Sequence, residues 1–255
     1  MHNFNKILIL AFISLFVFGN NVFSQTNVKD SSIFIPILKV AYTGVIPDLD
    51  YAKRFGAHSV IGGDFMLKSE KNWTLGASYG FIFGGTVKES DIFSRIQTSE
   101  GFVVSQTGQA AALRFFQRGH HISLRFGKIF NFLSPNPNSG FYFSVAPGFL
   151  QHRIKIDDVS NSTPQINDEY EKGYDRMSNG FAVSETFGYM YLGNNRLVNF
   201  FLAVEFTQAF TKNRRGYNFN ERAFDNESRN DFSYGLRCGW ILPLYKKMPN
   251  KFYYY

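Results

Sequence analysis

The side chains that could do chemistry are few and scattered. Three of the five histidines, His58, His120 and His121, fall near the ends of expected strands. A histidine serves as a general base when an acid orients it, but none of the three has a partner at a recognisable spacing. His120 and His121 are adjacent, so on a strand they point to opposite faces and cannot share a metal. Cys238 is the only cysteine and has no disulfide partner. Gly62-Gly63 and Gly84-Gly85 lack the strand, loop and helix context of a phosphate-binding loop and read as points of curvature. No catalytic, cofactor or metal site is assigned. The remaining candidates are five charges inside otherwise alternating segments, Lys39, Asp64, Arg125, Glu205 and Arg237, and their meaning depends on the elements that carry them.

Those elements alternate apolar and polar residues with a period of two, the pattern of a strand with one apolar face. Val198, Phe200, Leu202, Val204 and Phe206 share one face, opposite Asn199, Ala203, Glu205 and Thr207. Trp73, Leu75, Ala77, Tyr79, Phe81 and Phe83 oppose Thr74, Gly76, Ser78, Gly80 and Gly84. Tyr234, Leu236, Cys238, Trp240, Leu242 and Leu244 oppose Ser233, Gly235, Arg237 and Gly239. Three connections are tight, Lys68 to Asn72, Ser134 to Ser139 and Gly193 to Arg196, and rich in turn formers. The others are long and polar, about Ile46 to Gly56, Lys88 to Arg118, Asp157 to Asn179 and Asn213 to Asn230.

Strands laid between them span about 36–45, 57–67, 73–87, 119–133, 140–156, 180–192, 197–212 and 231–245. Every tight turn then lies at one end and every long loop at the other, as in an all-β, transmembrane, antiparallel up-and-down barrel with short periplasmic turns and long extracellular loops. Residues 102–118 read as a hairpin outside the membrane continuous with the third and fourth strands, or as two further membrane strands, making ten. A soluble sandwich would also alternate, but strands of about 12 to 16 residues exceed the usual 5 or 6. The 30 Phe and 14 Tyr suit lipid-facing bands and interfacial girdles.

Lys6, the apolar run from Ile7 to Phe18 and Val22-Phe23-Ser24 form an export-signal pattern, so residues 1–24 are expected to be cleaved, leaving a barrel domain over 25–245 and a periplasmic tail over 246–255. The run is short of the roughly 20 residues of a spanning helix. The net charge of +7 includes one positive charge from the signal, Lys6. Basic residues such as Lys212, Arg214 and Arg215 fall in loops, where anionic headgroups are plausible neighbours. Export and the absence of a nucleic-acid motif argue against nucleic acid as a partner.

The octet Arg237-Cys238-Gly239-Trp240-Ile241-Leu242-Pro243-Leu244 resembles the assembly signal of outer-membrane barrels, with Arg237, Gly239, Leu242 and Leu244 at its defining positions, although Tyr245 to Tyr255 follow it. The chain as a whole resembles the small outer-membrane β-barrel superfamily of OmpA and OmpX type, and its Phe-, Tyr- and Asn-rich flavour resembles bacteroidete members. The resemblance implies the fold, the outer membrane, contact with its lipid and handling by the barrel-assembly machinery during insertion. It implies no single activity, since members include anchors, adhesins, enzymes and subunits of machines.

Eight strands enclose a lumen just wide enough to be filled by side chains, so no open pore is expected. The five lumen charges read as a salt-bridge network rather than a proton path. In the third long loop Tyr170, Tyr174 and Arg176 suit either a partner or a loop packed over its own barrel. In the tail, Phe252, Tyr253, Tyr254 and Tyr255 suit a periplasmic partner or an interfacial anchor. The reading is a non-enzymatic barrel acting as a structural or accessory subunit of an envelope complex for secretion or barrel assembly. Its alternatives are a surface adhesin or ligand-binding barrel, and a small rim-sited lipid-modifying enzyme or protease using histidine.

Overall fold

The alternating segments become strands that close on one another. A computed structural model describes residues 31–244, apart from 90, 167 and 194–196. The expected signal, the tail with Phe252 to Tyr255, and most of the turn from Gly193 to Arg196 lie outside the described residues. Eight long strands form the wall: β1 (Ile35–Asp48), β2 (His58–Lys68), β3 (Trp73–Gly84), β4 (Leu113–Phe130), β5 (Gly140–Asp158), β6 (Ser178–Leu192), β7 (Asn199–Asn213) and β10 (Ser228–Pro243). Each pairs antiparallel with its neighbours, and β10 pairs with β1 to close the barrel. Closure removes the sheet edges that an open sheet would expose. Between β7 and β10 a small hairpin, β8 (Tyr217–Asn218) and β9 (Ala223–Phe224), stands apart from the wall.

Most polar and charged strand residues face the lumen, together with an apolar layer near the short-turn end, and the outward ones are mostly large and apolar. Val40, Leu75, Leu124, Phe187 and Leu236 all point outward and are exposed. A contiguous apolar belt around a whole molecule is far larger than a soluble surface carries, and a closed barrel of this exterior belongs in the outer membrane. Trp73, stacked at 5.3 Å on Phe126 and capped by Lys128 Nζ at 4.8 Å, belongs to an aromatic girdle near the short-turn end. No helix among the described residues is long and apolar enough to cross a membrane.

The turns show why the chain reverses where it does. Between β2 and β3, Ser69 N–H donates to Trp73 O at 2.8 Å and Asn72 adopts φ 62°, a left-handed conformation that asparagine tolerates. Within the segment 102–118 the chain does reverse outside the wall, with Val104 bridged to Ala110 around Ser105–Gln109 and residues from Leu113 on belonging to β4; no further membrane strand is formed, so the barrel has eight strands and not ten. The described residues of 85–112 lie over the barrel mouth with isolated bridges, Val87 to Phe55, Gln97 to Val103 and Val104 to Ala110. Their apolar side chains alternate because they pack inward on a loop core, which mimics a strand in sequence.

That core caps the mouth. Helix α1 (Leu49–Arg54) follows β1 directly, with Asp50 in its first turn and Arg54 in its last, each suiting the helix dipole. It turns Tyr51 down, with Phe55 beside it, onto Ile92, Phe93, Val103, Ile154 and Tyr174. The loop from β5 to β6 adds a short helix, α2 (Asp168–Glu171).

Candidate functional site

The lumen is filled in three levels. At the short-turn end Lys68 Nζ donates to Asn138 Oδ1 (2.8 Å), Ser32 Oγ (3.1 Å) and Ile33 O (3.1 Å). Asn138 Nδ2 donates to Ser31 O at 2.8 Å, and Asn136 Nδ2 to Leu192 O at 2.9 Å. The segment Ser134 to Ser139 is therefore a polar plug under the barrel as well as a turn, since Asn138 and Ser139 are fully buried. Above it lies an apolar layer with Ile37, Met66, Ile129, Met190 and Ile241.

The middle level holds the five charges named from the sequence, which come together. Arg237 Nη2 donates to Asp64 Oδ1 at 2.8 Å, and its Nη1 to Glu205 Oε1 at 3.2 Å. Arg125 Nη2 donates to Glu205 Oε2 at 3.0 Å, and its Nη1 to Thr186 Oγ1 at 2.5 Å. Thr186 Oγ1 in turn donates to Glu205 Oε2 at 3.1 Å, and Ser78 Oγ to Asp64 Oδ1 at 2.6 Å. Lys39 Nζ stands 4.0 Å from Asp64 Oδ2 and lies over the Tyr142 and Phe201 rings. Three basic side chains thus surround two carboxylates with all five nearly excluded from solvent. Charges so buried persist only when paired, and the geometry pairs all five, Lys39 by its 4.0 Å contact and ring faces and Arg125 through its two Nη atoms while its Nε has no partner.

Above the charges a cavity of about 40 Å³ is bordered by His121, Ser78, Thr207, Ser233 and Arg237. It holds a few waters at most and is no solute path. The upper level was not foreseen from sequence. His152 Nε2 and Asp231 Oδ2 are hydrogen-bonded at 2.8 Å, and Thr211 Oγ1 donates to the same Asp231 oxygen at 2.6 Å. Tyr51 covers His152 with ring centroids 4.8 Å apart and accepts from Gln117 Nε2 at 2.6 Å. An acid orienting a histidine is half of a hydrolase triad, but the arrangement lacks the other half. His152 Nδ1 has no partner, Thr211 bonds the acid rather than the base, and the side chains of His152 and Asp231 are wholly buried. Strand parity puts both residues inward; only their register brings them to one height.

The other histidines separate. His58 is buried beside Tyr51, its Nδ1 3.2 Å from Gly56 O. His121 faces the lumen cavity. His120 is on the outer wall, hydrogen-bonded through Nδ1 to Tyr79 Oη at 2.7 Å. Among the described residues no group of three or more His, Cys, Asp or Glu could hold a metal.

The outer cap divides the loop candidates. Tyr174 is buried, with Phe93 at 5.1 Å and Phe219 at 5.5 Å between centroids. Arg176 pairs with Glu89 and reaches toward Asp91 and Glu221. Both belong to the cap, while Tyr170 is half exposed on its surface. Gly173 is needed there because any Cβ would strike the Phe219 ring. Tyr170, Phe219, Tyr217 and Phe224 form an aromatic run, with successive centroids 6.4, 6.0 and 5.3 Å apart, beside a shallow groove of about 540 Å³. Of the octet, Arg237 is in the charge network and Gly239 faces inward on β10, whereas Leu244, just past its end, is exposed and its N–H donates to Pro36 O at 2.8 Å.

No protein-family model matches the chain, and no curated protein matches it. Solved structures similar to it are small barrels. One is Ail, the attachment invasion locus protein of Yersinia pestis, at 8% identity over 83% of this chain and 99% of that one, with a TM-score of 0.38. Another is the outer membrane protein OprG of Pseudomonas aeruginosa, at 13% identity over 85% and 99%, TM-score 0.41. A third is the N-terminal β-barrel domain of OprF from the same organism, at 14% identity over 81% and 97%, TM-score 0.37.

Proposed function

We propose that the protein is a non-conducting, non-enzymatic outer-membrane barrel that serves as a structural or accessory subunit of an envelope complex, of the kind that secretes proteins or assembles barrels. The observation that carries this reading is the lumen, filled by the Asn138 plug, the Glu205 charge network and the Tyr51 cap among the described residues. A barrel stoppered at every level acts through its surfaces. Lipid of the outer membrane is one such contact, and β10, with Gly239, Leu242 and Leu244, is the segment offered to the assembly machinery during insertion.

Two measurements test the reading. The purified barrel in planar bilayers is expected to give no steady conductance, and a stable open channel would remove its premise. Mild solubilisation of native outer membranes, with recovery through a tag after Gly108 on the exposed 106–110 segment, is expected to bring down a defined set of chains at fixed stoichiometry. Recovery of the barrel alone would end the subunit reading.

A second reading, a surface adhesin or ligand-binding barrel, is favoured by the aromatic run from Tyr170 to Phe224, because Phe224, in the β8–β9 hairpin apart from the barrel sheet, is 73% exposed. Ligand binding by whole cells that falls on Phe224→Ala would select it.

A further inference from the structure

Among the described residues, the outer wall carries a carboxylate at mid-strand that lipid does not explain. Glu185 points outward and is exposed, seven residues from either end of β6. It lies opposite Val145 of β5 and Phe206 of β7, and Phe181, Val183 and Phe187 flank it along its own strand. It makes no ion pair or hydrogen bond with any described residue. A carboxylate at the centre of a membrane-crossing strand is costly to leave in hydrocarbon, and such residues face a partner.

A second irregularity falls on the same patch. The β4–β5 pairing runs from Leu113 opposite Asp158 to Ser123 opposite Gly148 and resumes at Phe126 opposite Val145, so it lapses at Pro147. Proline has no N–H to donate and is ordinarily excluded from the middle of a sheet. Pro147 faces outward opposite Val183, one step along the wall from Glu185. Two departures from a uniform lipid-facing wall thus sit side by side.

We propose that this β5–β6 face is an intramembrane docking surface for a different chain, one that presents a lysine or arginine at mid-bilayer depth to Glu185. The proposal rests on the subunit reading and names the surface it uses. A second copy does not meet the need. Copies inserted in the same direction hold equal residues at equal heights, and the outward cations of the described wall, such as Lys128, Arg118, Arg114, Lys155 and Lys212, lie toward its ends and not at the height of Glu185. A second copy would set Glu185 against its own Glu185 or against apolar wall.

The test places a photo-crosslinking phenylalanine analogue at Val183 of the tagged full chain in native outer membranes and maps the crosslinked peptide. The expected result is an adduct with a membrane strand of another chain that carries a basic residue. Glu185→Leu should lower the adduct roughly tenfold or more, Glu185→Lys should abolish it, and exchanging the partner's basic residue for glutamate should restore it in the Glu185→Lys background. Heat-modifiable migration on gels confirms that each variant is folded. Adducts with lipid only or with a second copy of this chain, or an adduct unchanged by Glu185→Leu, would overturn the proposal. If partners are still recovered through the Gly108 tag in those cases, the subunit reading survives and only this surface is wrong.

Discussion

Glu205 and Glu185 occupy neighbouring strands near the same height of the wall, for Glu205 lies opposite Thr186, the residue after Glu185. One faces the lumen and accepts from Arg125, Arg237 and Thr186; the other faces the bilayer with none of these. The residue type is identical, so the difference is entirely one of neighbours. Inside, the protein supplies its own counter-charges and the carboxylate holds the lumen together. Outside, no counter-charge is built in, and the group is available to whatever the membrane brings against it.

The largest effect should come from the inner member of the pair. Glu205→Leu leaves Arg125 and Arg237 buried beside the single remaining carboxylate, Asp64, and breaking a buried pair from one side costs about 3–5 kcal/mol. Urea unfolding in lipid vesicles should show that loss, and a change below about 1 kcal/mol would mean that the lumen is wetter than its packing implies. For Glu185→Leu the sign reverses. In the same vesicles, without partners, the isolated barrel should gain stability by up to about 2 kcal/mol, because acidic groups at mid-depth cost somewhat less than basic ones. Equal losses at both positions would erase the distinction. Thr186→Val sharpens it further, since it removes only the hydroxyl that joins Arg125 to Glu205. A loss of about 1 kcal/mol is expected, the usual worth of a hydrogen bond when the ion pair survives.

The fold was legible because a barrel strand declares both faces in its own residues. Trp73 to Phe83 and Tyr234 to Leu242 show their parity without help, and the turns at Lys68–Asn72 and Ser134–Ser139 fix the direction of each reversal. The lumen charges were legible for the same reason, as inward positions on five strands. What parity cannot give is height, because it depends on register between strands far apart in sequence. The meeting of His152 with Asp231, 79 residues later, was therefore hidden. Plugs were hidden too: Asn138 reads as an ordinary turn residue and Tyr51 as an ordinary loop residue, until the barrel closes and gives each a hole to fill. Residues 102–118 left ten strands open because Val103, Leu113 and Phe115 alternate toward the cap core and not toward lipid. Glu185 stood in plain view in the run Phe181, Val183, Glu185, Phe187.

The smallest expected effect contrasts an ion pair in a loop with the one in the lumen. In the outermost hairpin Asp225 accepts from Arg229 Nη2 at 2.5 Å and Asn213 Nδ2 at 3.0 Å. Burial alone would raise its carboxyl, but these hydrogen bonds and the Arg229 charge outweigh that and hold it below the usual carboxylate range. A depressed folded-state value contributes stability that is present above the unfolded value of about 3.9 and is lost as pH falls through the folded one. Acidification below about pH 4 should therefore speed proteolysis or amide exchange around 213–229 while the barrel keeps its folded migration on gels, because Asp225 holds a loop hairpin through the partly exposed Arg229, whereas Glu205 is bound by two arginines sealed in the lumen. Asp225→Asn should remove most of the pH response and mimic the acid state at pH 7. If cap and barrel instead loosened together, the hairpin would be part of the same cooperative unit as the charged lumen, and the division between a sealed interior and a responsive exterior would have to be drawn further out.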